Sequence, residues 1–168
     1  YFCYAQDDNG IPKKGVKEPW LGEGYYFWDT RIADAQWWGN TVYSQKGYII
    51  CHTTYDQHSP LLYDLVGDMK NLDEFVACAE FIKANLNTDA VSFPVVLTYM
   101  KKLPEFGYKA IRVWPQSYTV KKTVVKFPGD KLDLGKVDKI QICFFDKTLL
   151  KNPYKIVEKK TFAANQTI

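Results

Sequence analysis

Tyr26 and Trp37 are the residues from which chemistry can first be built. Tyr26 sits behind two glycines in Gly22-Glu23-Gly24-Tyr25-Tyr26-Phe27, and Trp37 follows downstream beside Trp38. A flat heterocycle needs aromatic faces to stack on, and a cationic one is also drawn to the ring quadrupole. Glycine lets backbone come close to such a ring. In this reading Tyr26 forms one wall of a slot and Trp37 the other. Asp34 lies one turn from Trp37 on the same helical surface, where it can reach a carboxamide or a sugar hydroxyl. The plainer alternative is that Tyr25, Phe27, Trp37 and Trp38 simply fill a core.

These side chains need elements to hold them. Tyr1–Ala5 reads as a short aromatic-rich strand. Asp7-Asp8-Asn9-Gly10-Ile11-Pro12 is turn chemistry, and the loop is expected to run on to Gly24. Tyr25–Trp28 reads as a second strand. Asp29 or Thr30 is expected to cap a helix that ends at Gly39 as its C-cap. Val42–Thr54 reads as extended, with Tyr48-Ile49-Ile50-Cys51 as its buried part. Asn71 is expected to cap the strongest helix, whose apolar face is Leu72, Phe75, Val76, Ala79, Phe81, Ile82 and Leu86. Another helix is expected over Pro94–Lys102, with proline near its start. Strands follow at Ala110–Trp114, Tyr118–Phe127, Ile140–Phe145 and Tyr154–Lys159. This order predicts an α+β domain with a largely antiparallel sheet. Residues 1–160 read as one domain and 161–168 as a C-terminal tail.

Composition narrows the classes. The chain has 168 residues, 46% hydrophobic and 24% charged, which suits one globular domain. No apolar run approaches the ~20 residues of a membrane helix, so no membrane partner is expected. The opening residues do not read as a secretory leader. Cys3, Cys51, Cys78 and Cys143 show no CxxC spacing and read as reduced thiols of a cytoplasmic protein, with a disulfide framework or a zinc site as the alternatives. His52 and His58 fit no helical metal pair, so no metal site is expected. The net charge of +3 hides an asymmetry: residues 1–100 carry 7 basic and 13 acidic side chains, residues 101–168 carry 15 and 6. A basic half can attract phosphates of a dinucleotide or a nucleic acid, or be a solvated lysine surface. No P-loop is present. Gly22-Glu23-Gly24 lacks the third glycine and the βαβ context of a Rossmann fingerprint.

Gly24-Tyr25-Tyr26-Phe27 followed by Ala35-Gln36-Trp37 resembles the central motif of ADP-ribosyltransferases of the diphtheria-toxin and poly-ADP-ribose-polymerase type. Gln141-Ile142-Cys143-Phe144-Phe145-Asp146 is similar to the late strand that opens with the family's catalytic glutamate. Gly107-Tyr108-Lys109-Ala110-Ile111-Arg112-Val113 is similar to a strand opening of bacterial members. Leu61-Leu62-Tyr63-Asp64-Leu65 resembles a turn of theirs, with Asp64 as a helix-entry or turn residue. The similarity spans most of the chain, and only the first motif is moderately specific. It implies split antiparallel β-sheets with flanking helices and NAD, the substrate, in the cleft between them. It puts Tyr26 and Trp37 around the nicotinamide, the Tyr4-Ala5-Gln6 backbone on the carboxamide, Gly24 beside the ring and Gln141 on the ribose.

Two positions depart from the family. Its first strand carries a histidine or an arginine, where this chain has Tyr4-Ala5-Gln6. Gln141 replaces the glutamate, and a neutral amide offers no counter-charge to an oxocarbenium-like transition state. Glu23 is the acid nearest the glycine loop. Asp138 would face away from Gln141 on an ideal strand. His52-Thr53-Thr54 looks like the family's His-x-Thr but comes after Tyr26 instead of before it, and it reads as a strand end.

The resemblance implies an NAD-dependent mono-ADP-ribosyltransferase, with Gln141 and Tyr26 as its catalytic residues. The acceptor would be a protein or nucleic acid. As a toxin or defence effector it would have a neutralising partner protein. A degenerate module that binds NAD or ADP-ribose without transfer is the alternative. An RNA-binding domain, using Lys121, Lys122, Lys126, Lys131, Lys136 and Lys139 against phosphates, is a third.

Overall fold

Four short strands form a sheet in the order β2-β8-β5-β4: Tyr25–Trp28 (β2), Gln141–Phe144 (β8), Ala110–Val113 (β5) and Leu62–Asp64 (β4). The computed structural model describes residues 2–5, 19–44, 47–86, 91–115, 124–125, 134–135 and 139–161. A second sheet, β1-β3-β9, joins Phe2–Ala5 (β1), Tyr48–Tyr55 (β3) and Leu150–Lys160 (β9), all antiparallel. Val124–Val125 (β6) and Leu134–Gly135 (β7) form a small antiparallel ribbon. The α-helices among the described residues are Ile32–Val42 (α1), Met69–Leu86 (α2) and Phe93–Met100 (α3). The chain is therefore an α+β fold with two main sheets.

The four-stranded sheet is antiparallel except where β4 runs parallel to β5. A parallel pair needs a crossover, and α2 and α3 supply it between the two strands. Alternation then divides the sheet into two faces. Tyr63, Ile111, Val113 and Cys143 point under Phe75 and Ile82 of α2 and Val96, Leu97 and Met100 of α3. Phe27, Leu62, Ala110, Ile142 and Phe144 point the other way, toward Tyr55, Leu149 and Leu150. A third cluster, Trp28, Ala35, Tyr48 and Ile50, sits between α1 and the second sheet.

Several boundaries differ from the sequence reading. α1 does not stop at Gly39. It runs to Val42, and Gly39 lies buried inside it, where a Cβ would come within 2.7 Å of the Tyr48 ring. Neither Asp29 nor Thr30 caps α1: the N-cap is Arg31, with no side-chain cap bond. Asp68, not Asn71, caps α2, its carboxylate accepting the Lys70 N–H at 2.9 Å and the Asn71 N–H at 3.4 Å. The segment read as a turn around Tyr63 contains β4, and Asp64 also makes the turn by accepting the Val66 and Gly67 N–H groups at 2.8 and 3.0 Å. On α2, Val76, Phe81 and Leu86 are exposed instead of packed. The expected strand at Tyr118–Phe127 is described only at Val124–Val125. Gln6, Asp138, Lys121, Lys122, Lys126, Lys131, Lys136 and residues 162–168 lie outside the described residues.

Candidate functional site

The expected residues come from elements that contact one another where the two sheets adjoin, but Tyr26 packs against the cluster under α2 and α3 while Trp37 packs on Trp28. Among the described residues β1 and β2 are edge strands, one of each sheet; they run beside each other, and α1 packs against both. β1 brings the backbone of Tyr4 and Ala5, paired with Ile49 and Tyr48. β2 brings Tyr26, α1 brings Asp34 and Trp37, and β8 beside β2 brings Gln141. In the antiparallel register Tyr26 lies opposite Cys143 and Trp28 opposite Gln141, so these four side chains share one face.

Each residue has a local reason for its place. The half-buried Tyr26 phenol donates to the Gly22 carbonyl at 2.8 Å and accepts the Leu21 N–H at 2.9 Å, closing the turn that leads into β2. Gly22 makes that turn in the left-handed region, at φ 76°. Burial pushes the Tyr26 pKa well up, so the phenol stays protonated. Gly24 is required by contact: a Cβ would come within 2.5 Å of the Cys143 sulfur and 2.7 Å of the Phe144 carbonyl oxygen. Burial likewise pushes the Cys143 thiol up to about 12, partly offset by Lys101, so it is no nucleophile at neutral pH. Gln141 accepts the Trp20 indole N–H on its side-chain oxygen at 2.7 Å, which leaves its NH2 group as the donor.

Asp34 and Trp37 sit differently from the sequence picture. The Asp34 carboxylate is 4% exposed and accepts the Lys139 backbone N–H at 3.0 Å, holding Lys139 at φ 56°; Arg31 stands 3.7 Å away. It pins the lead-in to β8 against α1. Trp37 is 42% exposed. Its ring meets Trp28 edge-on at 6.1 Å and carries the Lys139 ammonium 3.9 Å above its centroid. Among the described residues no ring contact joins Tyr26 to Trp37. The ring that touches Trp37 from β2 is Trp28, two residues past Tyr26 and on the same face, a position that strand alternation alone could have flagged. Trp20, the partner of Gln141, carries no signal in the sequence.

A cleft of about 360 Å³ opens beside the other face of the four-stranded sheet, where Phe27, Ile142 and Phe144 point. At its edge lies a buried charge cluster. Arg112, 8% exposed, donates from Nε to Asp29 at 2.8 Å and from Nη1 to Asp64 at 3.0 Å, and the Tyr55 hydroxyl donates to Asp29 at 3.1 Å. Burial lowers the arginine's pKa, but the hydrogen bond to Asp29 and the two carboxylate charges outweigh it and raise the value overall. Cys51, Cys78 and Cys143 are free thiols. Among the described residues no three metal-ligating side chains gather, and no helix is long and apolar enough to cross a membrane.

Compared with known proteins, the chain matches no family model, no curated protein and no solved structure.

Proposed function

We propose that this chain binds NAD at the corner between β1, β2, α1 and β8, and transfers its ADP-ribose to a macromolecular acceptor. The observation that carries this is the convergence itself. The elements that carry the β1 backbone edge, Tyr26, Trp37 and Gln141 are far apart in the chain and contact one another where the two sheets adjoin. The Trp37 face already holds a cation, the Lys139 ammonium, where a pyridinium would stack. In the reaction, the bond between the nicotinamide nitrogen and the ribose anomeric carbon breaks, and its electron pair leaves with nicotinamide. An acceptor nucleophile supplies the pair for the new bond and loses its proton to solvent. Gln141 orients the ribose by donating from its amide.

Binding without transfer is the second reading, and one observation favours it. Gln141 is neutral and its oxygen is engaged by Trp20, so the face that carries it supplies no negative charge to an oxocarbenium ion. Glu23, exposed in the turn before β2, is the nearby acid that transfer would need.

Calorimetry with NAD, alongside chromatographic assay of free nicotinamide, separates the two. Transfer predicts both heat and nicotinamide; the module predicts heat alone. Tyr26→Ala, checked for folding by its melting curve, is expected to weaken NAD about 5- to 150-fold, the effect of losing one stacking face worth about 1–3 kcal/mol. Unchanged NAD binding in folded Tyr26→Ala would remove the corner as the site.

A further inference from the structure

We propose that the cleft on the Phe27 face is a second binding site, one that takes a small uncharged ligand pairing an apolar body with hydroxyl or amide groups, in the manner of a nucleoside. Its volume, about 360 Å³, lies in the range of small-molecule sites. Its floor is not that of the Tyr26 corner, because Phe27, Ile142 and Phe144 alternate with Tyr26, Gln141 and Cys143 along the same strands and point to the opposite face, although Trp28, which meets Trp37 at the corner, borders the cleft as well. The proposal therefore stands whether or not the corner holds NAD.

The lining specifies the chemistry. Phe27 and Phe144 form an aromatic floor, their rings edge-to-face at 5.3 Å, and Ile142 and Leu150 extend it. Phe144 and Ile142 are only 1% exposed and the Phe27 ring stacks on Tyr154, so this floor offers apolar contact to a ligand and no open ring face. The lip is polar: Thr30, Thr53, Thr54 and Gln57 offer hydroxyls and an amide. The Thr53 hydroxyl donates to the Lys151 carbonyl at 3.1 Å, so its lone pairs are left to accept from a ligand. The charges behind the lip argue against an anion. Asp29 lines the cleft, and it and Asp64 flank one guanidinium, Arg112, so the cluster is net negative. Both Asp29 oxygens are already engaged, by Tyr55 and Arg112, which leaves hydrogen bonding to the neutral groups of the lip.

The test is a calorimetric titration of the full chain with adenosine, with AMP as the charged comparator. Saturable adenosine binding is expected, with AMP no tighter. Thr53→Trp places an indole in the mouth and is expected to weaken adenosine about tenfold or more. Gln57→Leu, at an exposed position, serves if Thr53→Trp does not fold. Tyr26→Ala is expected to leave adenosine binding unchanged even if it removes NAD binding. The proposal is overturned by no saturable adenosine binding, by AMP binding about tenfold tighter (which would mean phosphate recognition), by folded cleft variants that bind normally, or by loss of adenosine binding in folded Tyr26→Ala.

Discussion

Arg112 ties together three places distant in sequence. Its guanidinium joins the end of β2 through Asp29 to the end of β4 through Asp64, from its own position on β5. Both carboxylates have further partners: Tyr55 on Asp29, and the backbone of Val66 and Gly67 on Asp64. Satisfied in this way a buried ion cluster is tolerable, but removing one member leaves charge without compensation. Arg112→Leu is expected to destabilise the fold by about 3–5 kcal/mol, because two carboxylates lose their shared cation. Arg112→Lys should recover only part of this, since an ammonium lacks the planar fork that reaches both acids. Urea unfolding of the two variants checks it; a loss in Arg112→Leu within about 0.5 kcal/mol of zero, the usual effect of a surface change, would mean the cluster is not structural.

Local pattern decides most elements here, and contact decides the rest. β2 and β5 follow closely from their aromatic and β-branched runs. The helical period of α2 is equally plain, but the helix rests on the sheet through Phe75 and Ile82, leaving Val76, Phe81 and Leu86 outside; a broad apolar face cannot reveal which stripe touches. β4 escapes notice because three residues give no period, and it exists by pairing with β5 far along the chain. The candidate site is half legible in the sequence for the same reason. Tyr26, Trp37 and Gln141 stand out by type and spacing. The register that sets Trp28 opposite Gln141, the Trp20 bond and the Asp29–Arg112 pair arise only on folding.

Gly39 shows how contact overrides propensity within one element. In a free helix, alanine is better than glycine by about 1 kcal/mol. Here a Cβ would sit 2.7–2.8 Å from three atoms of the Tyr48 ring, which is fully buried and bonded through its hydroxyl to Asn40 at 3.0 Å. Gly39→Ala is therefore expected to destabilise by about 1–3 kcal/mol, the effect of overpacking. Thermal melts of this variant beside Gly39→Ala/Tyr48→Leu should show recovery in the double variant. A stabilised single variant would show that α1 can shift away from β3.

Across the whole molecule, buried acids that stay neutral set the response to alkali. Tyr26 packs on one face of the four-stranded sheet, Tyr55 against the other, Tyr63 under the crossover helices, and Cys143 within β8. Burial raises the pKa of all four, and that of Tyr108 as well. In the unfolded chain these groups ionise near 9.0 for the thiol and 10.0 for the phenols. Above those values the unfolded state releases protons that the folded state keeps, so stability must fall as pH rises. Their contribution is complete below about pH 9 and is lost progressively toward and beyond pH 12, the value to which Cys143 is raised. The melting temperature is expected to be insensitive to these groups from pH 7 to about 9, then to drop steadily. Tyr63→Phe should flatten that slope, although it also loses the bond to the Asn71 carbonyl at 3.0 Å and so begins from a lower stability. Tyrosinate absorbance recorded during the same titration should rise in step with unfolding for the buried phenols. A melting temperature that stays level to about pH 11 would mean that these phenols are as solvated in the native protein as in the unfolded chain.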